Sequence, residues 1–217
     1  MMTATSKPPR LTLRLPGAWL HLDPARPEIS RARIRAFVET SIGRADQLAT
    51  ARADLRKGLG DMLSRADGPA AHQSTFLCHE VAPGVAAPIA VSVFAPADVR
   101  MSPVVGTSPE AVIAGFLDAM EDIAGAREWS RLACADGWAA RRWRVTTAQV
   151  APELADQAVS TFTAEYWRTV PATKRLMLVT VTSPLAVIPQ TMLRLADAIV
   201  AGSRIAADEH PHPHATE

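Results

Sequence analysis

The chain has 217 residues, 48% of them hydrophobic, enough apolar material for one sizeable core. Lys+Arg 23 against Asp+Glu 22 leaves a formal net charge of +1, so no overall field recruits nucleic acid or an anionic membrane, and neither is expected as a partner. The two cysteines, Cys78 and Cys134, lack Cys-x-x-Cys spacing and read as isolated thiols of a reducing compartment, which places the protein in the cytoplasm.

No apolar run follows the opening MMTATSKPPR, so no signal peptide is expected. Residues 1–9 read as a disordered start, 10–205 as one α+β domain and 206–217 as a flexible His/Pro tail. Leu11–Leu15 alternates like a strand, Trp19–Leu22 is a second, and Pro16-Gly17 between them is a turn dipeptide, so an opening hairpin is expected. After Asp23-Pro24-Ala25-Arg26-Pro27, apolar residues Ile34, Val38, Ile42, Ala45, Leu48, Leu55, Leu59 and Met62 recur at helical steps. That pattern predicts one long helix, or two broken near Gly43. Its other side mixes Arg31, Arg35, Arg44, Arg52, Arg56 and Lys57 with Glu39, Asp46, Asp54 and Asp61, which reads as a solvated face rather than a basic docking surface.

Beyond the loop Asp67-Gly68-Pro69, Gln73–Val81 and Pro88–Pro96 read as a second hairpin around Pro83-Gly84. Ala97–Thr107, with prolines and Gly106 and little periodicity, is expected to be a mobile surface loop. Ser108-Pro109-Glu110 then opens a helix: the serine oxygen accepts from orphan amides, proline suits the first helical position, and the acid favours the positive end of the dipole. Val112, Ile113, Phe116, Leu117, Met120 and Ile123 form its buried stripe.

Glu128–Ala135 and Trp138–Thr147 flank Asp136-Gly137, a hairpin signal in which both turn positions take positive φ. In Val159–Val170, Phe162, Ala164, Tyr166 and Val170 share one parity, and Thr161, Thr163, Glu165 and Thr169 the other. Trp167 and Arg168 break the two parities, as expected near a sheet rim. Pro171-Ala172-Thr173-Lys174 is a turn, and Arg175–Thr182 is apolar on both parities, which predicts a central strand. Ser183-Pro184 repeats the helix-opening device before Leu185, Ile188, Met192, Leu195 and Ile199, with Pro189 expected to bend that helix or shift its start. Gln190, Arg194, Asp197 and Arg204 argue against a membrane span. The fold class is therefore α+β: a mainly antiparallel sheet with a long N-terminal helix, a middle helix and a C-terminal helix packed on it.

Chemical signals are sparse. Trp129, Arg131, Trp138, Arg142, Trp143 and Arg144 lie in one hairpin and offer an interaction surface through stacking and cation–π contacts, against the plainer alternative of ordinary cross-strand pairs whose arginine stems cover tryptophan faces. Cys78-His79-Glu80 groups a thiol, an imidazole and a carboxylate, but alternation sends His79 to the opposite side; a base for the thiol has to come from elsewhere, such as His21 or His72. Glu121-Asp122 and Asp208-Glu209 read as solvated acids. His210, His212 and His214 have incidental affinity for Ni, Cu or Zn in a tail with no fixed further ligand. Nucleotide-loop, dinucleotide, nucleophile-elbow and His-Glu-x-x-His signatures are absent from the sequence, so no catalytic residue, cofactor or dedicated metal site is assigned.

The element order, and especially TFTAEYWRTVPATKRLMLVTVTSPLAVIPQTMLRLADAIV (Thr161–Val200), resembles the Mog1/PsbP-like α/β/α sandwich of small bacterial proteins, including actinobacterial ones. The resemblance covers most of residues 10–205. It implies a scaffold whose relatives mostly bind partners and supplies no catalytic residues. The leading expectation is an interaction or accessory module, secretion- or assembly-associated, that presents a sheet face or the loop Ala97–Thr107 to another bacterial protein. A small-molecule binder or enzyme with a cleft between sheet and helices is the second expectation, and a structural subunit of a homo-oligomer the third.

Overall fold

The structure, a computed structural model, describes residues 9–65, 72–121, 129–149 and 158–206. Along them run β1 (Arg10–Thr12), β2 (Ala18–Leu22), α1 (Pro27–Ile42), α2 (Ala49–Arg65), β3 (His72–Ala82), β4 (Val85–Ala86), β5 (Ala90–Phe94), α3 (Pro109–Glu121), β6 (Ser130–Cys134), β7 (Gly137–Gln149), β8 (Ala158–Thr169), β9 (Leu176–Ser183), α4 (Pro189–Ala201) and β10 (Arg204–Ala206). All strand pairings are antiparallel. One sheet has the order β2-β3-β5-β9-β8-β7-β6 with β4 added to β3, and β1 with β10 forms a separate ribbon. The α+β class expected from the pattern is what forms, and β9 is the central strand.

Directly paired residues share a sheet face, so the registers sort side chains into two sides. On one, Val91, Val93, Phe162, Ala164, Tyr166, Val179 and Val181 pack beneath Met192, Leu193, Ala196 and Val200 of α4, with Leu11 and Ile205 of the ribbon alongside. On the other, Leu20, Leu22 and Leu77 meet Ile34 and Val38 of α1 and Leu59 and Leu63 of α2, while Ala140 and Leu176 meet Val112, Ile113 and Phe116 of α3. Helices thus cover both sides of the sheet. Each side strips water from aliphatic surface at roughly 25 cal/mol per Å2.

Local chemistry sets the element ends. Ser108 Oγ accepts from the Ala111 amide at 3.2 Å and opens α3 as expected. α1 and α2 separate at Gly43, where φ is +82°, and Arg52 Nη1 donates to the carbonyls of Gly43 (2.9 Å) and Ala45 (2.8 Å) that the break exposes. Pro189 takes the first position of α4, so it shifts the start of the helix; Ser183 lies in β9, and its Oγ accepts from the Leu185 amide at 3.1 Å in a turn.

Four expectations are corrected. The opening hairpin does not form: β1 pairs with β10 and β2 with β3. Gly17, at φ +77°, lies so close to β3 that a Cβ there would sit 1.9 Å from the Glu80 carbonyl oxygen, and this approach sends the chain along β3. The β6–β7 turn consists of Ala135 and Asp136 without positive φ, since Cys134 pairs with Gly137; only the glycine, at +150°, takes it. Arg168 does not mark a rim. It is fully buried on the α4 side of β8, third strand from the sheet edge, because Asp136 of the turn supplies its counter-charge. The loop Ala97–Thr107 is sewn to the turn before β9: the Met101 amide donates to the Lys174 carbonyl at 2.9 Å, Lys174 Nζ donates to the Pro103 carbonyl at 2.5 Å, and Val99, Met101 and Val105 pack against the α3 cluster. Asp67-Gly68-Pro69, Ile123, and the tail histidines with Asp208-Glu209 lie outside the described residues.

Candidate functional site

The hairpin β6–β7 divides its six sequence-predicted residues between the two sides of the sheet. Trp138, Arg142 and Arg144 share the α1–α3 side with Ala140 of β7; Arg131, paired with Ala140, and Trp129 join them. Trp143 faces the other way and stacks with Phe162 at 6.1 Å. Ring faces are taken up internally. Trp129 stands edge-on to Phe116 of α3 at 5.5 Å, Arg142 lies over the Trp129 ring at 4.7 Å, and Trp138 Nε1 donates to Glu110 Oε1 at 3.1 Å. Glu110's own backbone amide, with the Trp138 indole, holds its carboxyl below the usual range. Trp129 and Trp138 therefore anchor the hairpin to α3.

What the described residues leave uncovered is polar. Five consecutive cross-strand partners on the α1–α3 side, Thr75, Ser92, Thr180, Glu165 and Arg142, form a row across β3, β5, β9, β8 and β7. Thr182, Thr163 and Arg144 extend it by a second row. The neighbouring row on the α4 side is apolar throughout: Phe76, Val91, Val181, Ala164 and Trp143. The row lies between the α1–α2 cluster and the α3 cluster, and its members other than Thr75 are only half-buried. Sequence reasoning missed it because its residues come from five separate strands; the Thr161/Thr163/Glu165 parity of β8 was the available signal.

Glu165 is the charged centre of the row. Arg142 donates to its Oε2 from Nε at 3.2 Å and from Nη2 at 2.5 Å, and Arg144 Nη2 lies 3.4 Å from Oε1. Arg144, half exposed, and Arg131, exposed, present guanidinium to solvent, so the rim is positive.

The thiol candidates do not assemble. Cys78 is on the α4 side opposite Trp19, whereas His79 is on the α1 side, edge-on to Phe37 at 5.6 Å. His21 and His72 engage Ser74 and Thr75. Burial pushes both thiols above their usual range. Cys78 and Cys134 lie five strand steps apart, roughly 24 Å at the usual spacing, and both are free. Among the described residues no group of three His, Cys, Asp or Glu side chains is placed to hold a metal, and no helix is long and apolar enough to cross a membrane.

No protein-family model matches the chain, and no curated protein matches it. Among solved structures, LpqN of Mycobacterium tuberculosis, described as involved in cell envelope biogenesis, aligns over 94% of this chain and 88% of its own, with 11% identity and a TM-score of 0.43. Likeness at that level transfers no residue and no activity.

Proposed function

We propose that the chain is a non-catalytic binding module, an accessory component of a bacterial secretion or assembly system, which docks a partner protein on the α1–α3 side of its sheet. The observation that carries this is the polar row from Thr75 to Arg142. A strip meant to lie under a helix is expected to be apolar, like the row behind it; a five-strand polar strip left between two helical clusters suits an occupant that brings its own hydrogen bonds. Arg131, Arg142 and Arg144 outnumber Glu165, so the occupant is an acidic segment of the partner, seated by hydroxyls along the floor and guanidinium at the rim.

The Mog1/PsbP-like kinship belongs to the same proposal, supported by the helix–sheet–helix layering, and residues 10–205 are taken as the binding unit. Free, half-buried Cys78 and Cys134 favour the cytoplasm. The experiment is affinity capture from bacterial extract with wild type and with Arg131→Glu/Arg144→Glu, at low and high salt. An acidic partner held by the wild type, released by salt and lost in the variant is the expected outcome. Equal retention by both proteins would remove the α1–α3 side as the docking surface.

A further inference from the structure

On the α4 side, a cavity of about 390 Å3 opens between the β1–β10 ribbon and the ends of β2 and β3. Leu11 and Phe76 give it apolar walls, and Arg10, His21, Ser74 and His72 give it polar ones. Hydrogen-bond chemistry fixes what these groups offer. Arg33 Nη1 lies 3.1 Å from His21 Nδ1, and a guanidinium only donates, so Nδ1 is the acceptor and the ring proton sits on Nε2. His21 Nε2 is 3.1 Å from Ser74 Oγ and donates to it. The serine oxygen is thus occupied as acceptor, and its own proton is free to donate into the cavity.

This arrangement is the reverse of a nucleophilic serine, which needs an unprotonated imidazole nitrogen facing its hydroxyl. His72 follows the same logic: Nε2 lies 3.1 Å from the Ser74 carbonyl oxygen, which only accepts, so this nitrogen also carries the proton. Burial first, then Arg33 beside His21, holds His21 below its ordinary pKa, and burial does the same for His72, so both rings are neutral at pH 7. Asp23 is nearly buried, its Oδ1 accepting from the Ala25 amide at 2.9 Å and its Oδ2 lying 3.5 Å from Arg26 and 4.0 Å from Arg10, so the half-exposed Arg10 makes no close contact with it and can turn toward a second anion. Asp23 also lines the cavity, and with Arg10 and Arg26 both within 4.0 Å of it the two guanidinium groups outnumber the one carboxylate at this end.

We infer that this cavity binds a small organic anion: a carboxylate seated on the Ser74 hydroxyl and Arg10, with an apolar body lying between Leu11 and Phe76. Volume and lining match those of small-molecule sites, which are mostly apolar with a few convergent polar groups. The cavity opens on the side opposite the polar row and meets it only where Thr75 Oγ1 lies 2.9 Å from His72 Nε2.

The probe is benzoate, which carries a carboxylate on an apolar ring, and benzamide is its neutral isostere. Titrations of the full chain followed by amide NMR are expected to show millimolar benzoate binding with shifts concentrated at Arg10, His21 and Ser74, and benzamide at least about tenfold weaker. Ser74→Ala and Arg10→Gln are each expected to weaken benzoate about tenfold, in proteins whose circular dichroism matches the wild type. Arg10 lies half exposed on the ribbon, so its variant tests the site even if Ser74→Ala folds poorly. No saturable benzoate shift up to its solubility, equal affinity for benzamide, or binding unchanged by Arg10→Gln would overturn the inference.

Discussion

Arg168 is the residue whose environment departs most from its type. Its guanidinium is fully buried among Tyr166, Met177 and Ala139, and among the described residues Nε and Nη1 have no hydrogen-bond partner. One nitrogen, Nη2, pairs with Asp136 Oδ1, while Asp136 Oδ2 accepts from the Ile205 amide at 2.6 Å. A buried charge stripped of its counter-ion costs more than replacing the pair. Asp136→Ala is therefore expected to lower stability by about 3 kcal/mol in urea unfolding, and adding Arg168→Met to recover part of it; a double variant less stable than Asp136→Ala alone would contradict the pairing. The histidines set a pH response. His21 and His72 titrate lower in the fold than their ordinary 6.5, so the unfolded chain takes up protons first, and their effect is a stability loss that grows as pH falls below about 6.5. The urea midpoint of the wild type should fall more between about pH 7 and about pH 5.5 than that of His21→Gln/His72→Gln.

Among the elements, two glycines carry the topology. Gly17 brings β2 onto β3, and Gly137, at φ +150°, sits where a Cβ would lie 2.6 Å from Thr169 Oγ1, the hydroxyl that accepts from the Trp138 amide at 3.1 Å. Gly137→Ala is expected to cost about 1–3 kcal/mol, read as a lower thermal midpoint. Ser108→Ala, which removes the α3 cap, should cost about 1 kcal/mol. These elements also mark how far the sequence is legible. α3, β8, β9 and the β6–β7 hairpin follow from periodicity and capping, because both act within a few residues of the chain. The pairing of β1 with β10 was hidden, since its partners Arg10 and Ala206 lie at opposite ends of the domain. Arg168 was misread because a charge on an apolar parity ordinarily means solvent, and Asp136, which neutralises it, is 32 residues away. Of Trp129, Arg131, Trp138, Arg142, Trp143 and Arg144, the sequence shows only that they share one hairpin; the packing of α3 shows that the rings of Trp129 and Trp138 serve the core.

At the scale of the whole molecule, the two sides of the sheet divide the work. Between α4 and the sheet the packing is mostly apolar, interrupted by the pairs Arg168–Asp136 and Arg141–Asp197, whereas among the described residues the α1–α3 side is covered at its two ends, with hydroxyls, Glu165 and two arginines between. That asymmetry is the physical basis for a docking surface on one side and a small cavity beneath the ribbon on the other. The most direct measurement places a photo-activatable benzoyl-phenylalanine at Thr180, in the middle of the polar row, and at exposed Ala198 of α4 as control. Irradiation in bacterial extract is expected to cross-link one acidic partner from Thr180 and not from Ala198, and Arg131→Glu/Arg144→Glu should abolish the product. Equal cross-linking from Ala198, or a Thr180 product that survives the charge reversal, would contradict docking on the α1–α3 side.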